Sequence, residues 1–405
     1  MQILNYTWSK AGYWILGAGL AVAALSWRSS LSGSPTGIGR VLGVMTVGQT
    51  TEASKAKGVW LDLNPTRVEG HQKCLDCHRS ELAAWQKTKH ATTAFDLLRS
   101  ANALKYAKAL DIKTEDIRRN SMCLQCHATQ QTDDLLGPVV IQGISCESCH
   151  GGSGGQDGWL NAHAVYGPTG TRRNEETLDH RTQRLSRCET AGQVRSDNPF
   201  QMARNCLACH IIPDEKLVLA GHPAGKLEFE LLGSSQGEVR HNFHMNQRQN
   251  AEISTLWSDP QWREGQVPGT AAGRKRIVFI LGKVADLHVS LRNIAAASEV
   301  NEYTASMQAR VAVNKELLLV ISEFAPVPEM ASIAEVVATL EDSVFEELND
   351  DNRKLLNEAA TKLAEHGRLF GQKYDGSKLN EDADILKQLD ELISQSAPVG
   401  KPYQP

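Results

Sequence analysis

The sequence predicts a mainly α-helical protein in two parts, and three observations lead to this prediction. The pattern Cys-x-x-Cys-His occurs four times between residues 74 and 210. That region contains few apolar residues with which to build a large side-chain core. From residue 273 onward, apolar residues instead recur at helical spacing through five successive segments. We therefore expect a motif-rich region followed by a small helical bundle.

The four motifs use eight of the nine cysteines. They are Cys74–His78, Cys123–His127, Cys146–His150 and Cys206–His210, called motifs one to four. In this pattern two thiols form thioethers to one haem, and the adjacent imidazole ligates its iron. Zinc sites pair Cys-x-x-Cys units without needing that histidine, and a disulfide framework does not explain it either. We predict four covalent haem c groups, attached at Cys74, Cys77, Cys123, Cys126, Cys146, Cys149, Cys206 and Cys209, with His78, His127, His150 and His210 as proximal ligands.

The composition limits the classes of protein that fit. The chain has 405 residues, of which 41% are hydrophobic and 22% charged, and its formal net charge is −4. These values are typical of a globular protein, and no basic stripe indicates nucleic-acid binding. The ninth cysteine, Cys188, is predicted to be a small buried hydrophobe, with a redox or ligand role as the alternative.

The N-terminus predicts export. An uncharged run at residues 11–27 lies between Lys10 and Arg28, and it fits either an uncleaved membrane anchor or the apolar part of a cleaved signal peptide. Covalent haem attachment takes place outside the cytoplasm. We therefore expect the chain on the periplasmic side of the cytoplasmic membrane, held by an N-terminal helix, or exported in soluble form if the segment is cleaved.

The predicted organisation has five parts. They are an anchor or signal segment at 1–28, a flexible tether at 29–67, a tetrahaem cytochrome c domain at 68–250, a helical bundle domain at 251–396 and a tail at 397–405.

The order of the motifs resembles the tetrahaem cytochrome c-554 family. Trp85 and His90 follow motif one, motif two continues as Cys-His-Ala-Thr, motif three lies in Gly-Ile-Ser-Cys-Glu-Ser-Cys-His-Gly-Gly, and Ala-Gly-His-Pro follows motif four. The resemblance covers about residues 71–244 and does not extend clearly to the C-terminal third. It implies a mainly helical fold with closely packed haem pairs, mostly bis-histidine iron, and a main role in electron transfer.

The resemblance also implies distal ligands. By the family pattern, His90 would ligate the third haem and His163 the fourth, and the second haem would lack a strong distal ligand. The family takes a distal ligand for its first haem from between motifs two and three, but residues 128–145 contain no histidine here. The first haem would then use His222, with His241 next and His244 as a further candidate, or would stay open.

Together these features predict a membrane-anchored periplasmic cytochrome that relays electrons between redox partner proteins, such as an oxidoreductase, a quinol-linked enzyme or other cytochromes. The first alternative is an enzyme that reduces nitric oxide, nitrite or hydroxylamine at a five-coordinate haem. The second is a wiring subunit of a larger redox complex, docked through the bundle. An electron carrier is expected ahead of an enzyme, and no catalytic residue is predicted.

Overall fold

The computed structural model describes residues 58–119, 121–133, 137–195, 197–239, 244–246, 251–254 and 271–401. The predicted anchor or signal segment, most of the predicted tether and His241 lie outside these ranges. Within them, no helix combines the length and the apolar character needed to cross a membrane. The described part of the chain is mainly α-helical, which confirms the predicted fold class.

Short helices are the main regular secondary structure of the described chain before residue 255. They are α1 (Arg79–Trp85), α2 (Lys89–Arg99), α3 (Ala101–Ala109), α4 (Ser121–His127), α5 (Cys146–His150), α6 (Leu160–His163), α7 (Leu178–Thr190), α8 (Pro199–His210), α9 (Glu215–Leu219) and α10 (Leu231–Gln236). Five of them begin after a side chain that accepts a hydrogen bond from the first turn, namely Ser100, Thr177, Asn198, Asp214 and Glu230.

Two small antiparallel hairpins lie among these helices. The first pairs β1 (Thr129–Asp133) with β2 (Gly137–Gln142), and the second pairs β3 (His244–Asn246) with β4 (Ala251–Ser254). The first hairpin connects motif two to motif three, so it brings the ends of these two motifs together.

Five helices occupy the predicted amphipathic segments of the C-terminal third. They are α11 (Ala271–Ala296), α12 (Glu302–Phe324), α13 (Pro328–Ala338), α14 (Asp350–Lys373) and α15 (Ala383–Ser394). Helix α11 is central, because it packs against α8, α12 and α14. Apolar side chains on several sides of α11 are fully buried, among them Ile280, Leu281, Leu287 and Leu291. A helix that is apolar on most sides is expected at the centre of a bundle.

The main hydrophobic core joins this bundle to α8. Phe200, Ala203 and Leu207 of α8 are each at most 2% exposed and belong to the same cluster as the bundle side chains. Gly367 of α14 allows a close approach, since a Cβ atom there would lie 2.8 Å from the Phe200 ring. Motif four, at the end of α8, is thus built onto the bundle. The predicted domain boundary near residue 250 stays a prediction.

A second, smaller core lies beside motif two. Its buried members are Ala94, Leu97, Ala107, Ile117, Leu124 and Ala128. Six side chains of this size bury too little apolar surface to stabilise the region around motifs one to three by themselves. This small core agrees with the few apolar residues that the sequence contains in this region.

Cys188 lies on α7 and is fully buried, with 0% of its surface exposed. Its Sγ atom is 3.6 Å from the carbonyl oxygen of Trp159, and burial raises the pKa of the thiol. This is the environment predicted for a small buried side chain.

Candidate haem sites

Each motif lies at a helix terminus. Helices α4, α5 and α8 end at His127, His150 and His210, the last residues of motifs two, three and four. Motif one begins in a 3-10 turn, and His78 is the residue before α1. Residues at i, i+3 and i+4 lie on one face of a helix. The two thiols and the imidazole of a helical motif therefore point to the same side.

Three of the four proximal histidines face a second histidine. The distances between ring centroids are 6.1 Å for His78–His163, 6.0 Å for His90–His210 and 6.4 Å for His127–His222. Two imidazoles bonded at about 2 Å to opposite sides of one metal ion have their ring centroids roughly 6 Å apart. Each pair therefore has the separation that one iron between the rings requires, and each second histidine is among the predicted distal ligands.

The pairing differs from the one that the family pattern implied. His90 faces motif four rather than motif three, and His163 faces motif one rather than motif four. His222 faces motif two, which was expected to lack a strong distal ligand, rather than motif one. The N–H of Lys89 donates to Glu238 Oε1 at 2.6 Å, so the start of α2, next to His90, contacts the segment that follows motif four.

The Nδ1 atoms of four histidines, two from the motifs and two from the facing positions, have polar partners close by. The contacts are His78 with Glu81 Oε1 at 3.6 Å, His150 with Val194 O at 2.8 Å, His163 with Gln193 Nε2 at 3.1 Å and His222 with Pro223 O at 2.8 Å. A histidine that binds a metal through one nitrogen usually hydrogen-bonds through the other. These contacts leave Nε2 of each ring available for iron.

Burial favours the neutral form of four of the paired imidazoles. It lowers the pKa of His163 and that of His210 to about 4 in each case, and it lowers the pKa of His90 and of His127. Neutral imidazole is the form that ligates a metal. His78 differs, because a hydrogen bond with the nearby carboxylate of Glu81 raises its pKa.

The motifs contact each other in two pairs through their cysteines. The thiol of Cys74 in motif one neighbours that of Cys146 in motif three. Cys209 Sγ in motif four lies 3.8 Å from Gln125 O in motif two, and Cys126 Sγ in motif two lies 4.0 Å from Ala208 O in motif four. Motifs one and three are therefore neighbours, and so are motifs two and four. This arrangement fits the closely packed haem pairs that the resemblance implies.

Two further hydrogen bonds place motif three at the centre of the group. Asn205 Nδ2, just before motif four, donates to the carbonyl oxygen of Cys149 at 3.0 Å. The hydroxyls of Thr129, just after motif two, and Ser148 are 2.8 Å apart. Motif three therefore contacts motif one and the residues next to motifs two and four.

Several contributors to the site were not identified from the sequence. Phe229 stacks on the His210 ring, with centroids 4.3 Å apart and planes inclined by 18°. Gln193 contacts His163 and Val194 contacts His150, as described above. No local pattern marks these residues, because each acts through a contact distant in the chain. The side chain of His244, in β3, lies outside the described residues, as does His241, so both stay predictions as distal ligands.

The residues present fit haem as the bound group. Among the described side chains, no cluster of three or more His, Cys, Asp or Glu is arranged to hold a metal ion by itself. A haem iron is held by its porphyrin and takes only axial ligands from the protein. The paired imidazoles would supply two axial ligands, and the motif thiols would supply the attachment points.

Comparison with known proteins agrees with this chemistry. Residues 73–151, which contain motifs one to three, match the family described as cytochrome c554 and c-prime. The chain is also similar to cytochrome c-554 of Nitrosomonas europaea, with 24% identity over 149 residues. That match covers 35% of this chain and 57% of the relative, so the chain spans little more than half of the relative's length. No solved structure matches the chain. The segment with motifs one to three is therefore similar to the cytochrome c-554 family, and covalently bound haem c is the cofactor that this similarity implies.

Proposed function

We propose that the protein is an exported tetrahaem c-type cytochrome that relays electrons between redox partner proteins. The observation that carries this proposal is the set of three histidine pairs with ring centroids 6.0 to 6.4 Å apart. An iron with an imidazole on each side has no axial position left for a substrate. Such an iron changes its oxidation state without binding a substrate, which is the property of an electron carrier.

The contacts between motifs support a continuous path through the protein. Motif one contacts motif three through Cys74 and Cys146, and motif four contacts motif two through Cys209 and Cys126. The bond from Asn205 joins motif four to motif three. Haems attached to motifs in contact lie close together, as serial electron transfer requires. The contacts support the order one, three, four, two.

The proposed location is the periplasmic side of the cytoplasmic membrane, with residues 1–28 as the anchor. The uncharged run between Lys10 and Arg28 supports this location. Carbonate extraction of isolated membranes tests it. An anchored protein stays with the membrane pellet, whereas release of the full haem signal into the supernatant would contradict the anchor.

Low-temperature EPR of the oxidised protein, repeated after adding nitric oxide, tests the relay. We expect four haems per chain by pyridine haemochrome assay. The haems at motifs one, two and four should give low-spin signals that nitric oxide leaves unchanged, and the haem at motif three should do the same if His241 or His244 is its distal ligand. His222→Ala is the positive control, because it should open the iron at motif two and create a high-spin signal that nitric oxide abolishes. The same signal in the unmodified protein would instead favour the enzymatic alternative.

The ligand assignment has its own test. His163→Met should raise the potential of one haem and leave the haem content unchanged, since thioether sulfur stabilises ferrous iron better than imidazole does. A redox titration identical to that of the unmodified protein would remove His163 from the ligand set.

A second candidate function, the wiring of a larger redox complex, is favoured by one surface of the bundle. Helix α12 exposes Val313 by 48%, Leu319 by 36% and Val320 by 42%. Val313 and Val320 are seven residues apart and lie on one face of α12, and an exposed apolar face on a bundle helix is typical of a docking surface. Val313→Lys with Val320→Lys should release the protein from a co-purifying redox complex without changing its potentials. Unchanged co-purification would exclude this surface.

A further inference from the structure

Two consecutive residues after α7 contact axial histidines of two different haem sites. Gln193 Nε2 lies 3.1 Å from His163 Nδ1, and Val194 O lies 2.8 Å from His150 Nδ1. His163 faces motif one, whereas His150 belongs to motif three. This short loop therefore contacts the Nδ1 atom of one histidine at each of two neighbouring sites.

The turn that ends α7 fixes the position of this loop. Gly192 has a φ of 98°, a left-handed conformation that glycine adopts without strain. The N–H of Gln193 donates to Cys188 O at 2.9 Å, and the N–H of Val194 donates to His150 O at 2.9 Å. Val194 thus makes two hydrogen-bond contacts with His150, and the Gln193 side chain is directed toward His163.

The amide of Gln193 carries a buried acceptor without a partner. Its Oε1 atom makes no hydrogen bond, while its Nε2 atom faces His163 Nδ1. A histidine that bonds iron through Nε2 keeps its proton on Nδ1, and there it can only donate. Half a turn of the amide exchanges its oxygen and nitrogen, and the hydrogen-bond network decides between the two orientations. With His163 on iron, Oε1 faces Nδ1–H and gains the partner that it lacks.

We propose that Gln193 is a positioning residue that accepts a hydrogen bond from Nδ1–H of His163 and thereby lowers the reduction potential of the haem at motif one. This inference rests on the proposed function, because it requires His163 to be an iron ligand. An acceptor at Nδ1 raises the basicity of a ligand imidazole. A more basic imidazole stabilises ferric iron relative to ferrous iron. The carbonyl of Val194 acts in the same way on His150, so the loop lowers the potentials of two neighbouring haems together.

Two substitutions of similar volume separate this electronic effect from packing. Gln193→Glu supplies a stronger acceptor and should lower the potential of one haem, whereas Gln193→Met removes the acceptor and should raise it. A charge-assisted hydrogen bond is roughly twice as strong as a neutral one. Each change should therefore alter the ferric-to-ferrous ratio at a fixed potential by about tenfold, which corresponds to about 59 mV for a one-electron couple.

Spectroelectrochemical titration of the holoprotein measures these shifts, with haem content assayed in parallel. Gln308 on α12 provides the matched control, because its Nε2 donates to Phe345 O at 3.1 Å inside the bundle. Gln308→Glu and Gln308→Met should leave every haem potential unchanged. Opposite shifts of one haem in the two Gln193 variants, with haem content intact, support the proposal.

Shifts of the same sign in both Gln193 variants, or no shift in either, overturn the proposal. If the Gln193→Met variant binds less haem, Gln193→Glu alone decides: a lowered potential at one haem supports the proposal, and an unchanged potential overturns it. His163→Met separates this failure from that of the proposed function. If His163→Met shifts the potential of one haem and the Gln193 variants do not, only the Gln193 proposal is overturned. A titration unaffected by His163→Met overturns the ligand assignment itself.

Discussion

Replacing Glu147 should loosen the junction between motifs one and three. This side chain lies inside motif three and is 1% exposed. Its Oε1 accepts hydrogen bonds from Glu69 N at 2.9 Å, Ser153 N at 3.0 Å and Ser153 Oγ at 2.6 Å, and its Oε2 accepts from Gly70 N at 2.7 Å. Glu69 and Gly70 precede motif one, whereas Ser153 follows motif three. One buried carboxylate therefore fastens the two motifs together.

The size of the effect follows from these four bonds. Hydrogen bonds to a charged group contribute about 1.5–3 kcal/mol each. Glu147→Ala removes all four and leaves three main-chain N–H groups without their acceptor. Because water entering the vacated space recovers part of the loss, we expect the free energy of unfolding to fall by about 4–6 kcal/mol. Glu147→Gln keeps an oxygen at the Oε1 position and loses only the bond from Gly70, so the expected cost is about 1–3 kcal/mol.

Denaturant unfolding of the holoprotein, followed at the haem Soret band, measures the effect. The order of stability should be unmodified protein, then Glu147→Gln, then Glu147→Ala. Glu358→Ala is the matched control, since Glu358 is 60% exposed and pairs with Lys354 at 4.0 Å, and an exposed pair contributes at most about 1 kcal/mol. If Glu147→Ala unfolds at the same denaturant concentration as Glu358→Ala, the carboxylate does not hold the junction.

Three other substitutions test separate parts of the structure. Cys206→Ala with Cys209→Ala should lower the pyridine haemochrome value from four haems to three, and an unchanged value would rule out attachment at motif four. Arg310→Met leaves the buried Asp286 carboxylate without its partner at 2.7 Å, which should cost about 3–5 kcal/mol. Adding Asp286→Leu should restore the denaturant midpoint, and a double variant as unstable as the single one would contradict this. Burial raises the pKa of Glu215, but hydrogen bonds from the residues before α12 outweigh it and lower the pKa overall. The hydrogen bonds to Glu215 therefore stabilise the protein above the unfolded-state pKa of the carboxyl, and this stabilisation is lost as the pH falls through the folded-state pKa. Glu215→Gln should flatten the acid side of the curve of stability against pH. Parallel curves for the variant and the unmodified protein would exclude the effect.

The helices of the C-terminal third and the attachment motifs can be predicted because their signals are local. Ile277, Leu281 and Leu291 recur at helical spacing and are fully or almost fully buried in α11. Pro328 stands at the first position of α13, where a missing N–H costs nothing. The chemistry of a Cys-x-x-Cys-His unit is likewise contained in five consecutive residues. None of these inferences needs knowledge of the tertiary structure.

The axial pairs cannot be predicted in this way, because they depend on how distant elements pack. Arg184 on α7 donates to the carbonyl oxygen of His163 at 2.7 Å, which fixes the end of α6 where His163 faces His78. Nothing in the spacing of these histidines shows that contact. Gln193 and Glu147 are ordinary polar residues in the sequence, and only their burial beside particular donors and acceptors gives them a role.

The core shared by α8 and the bundle makes the environment of motif four different from that of motif one. Phe200 and Leu207 of α8 are buried among bundle side chains, and Phe229 stacks on His210. Arg310 Nη1 on α12 donates to Lys226 O, three residues before Phe229, at 2.6 Å. The bundle therefore also supports the Phe229 ring that stacks on His210. Motif one is held by hydrogen bonds to motif three instead. Because packed cores respond to small changes in volume, a change in the packing of the bundle should alter the surroundings of His210 in motif four first and those of His78 in motif one least.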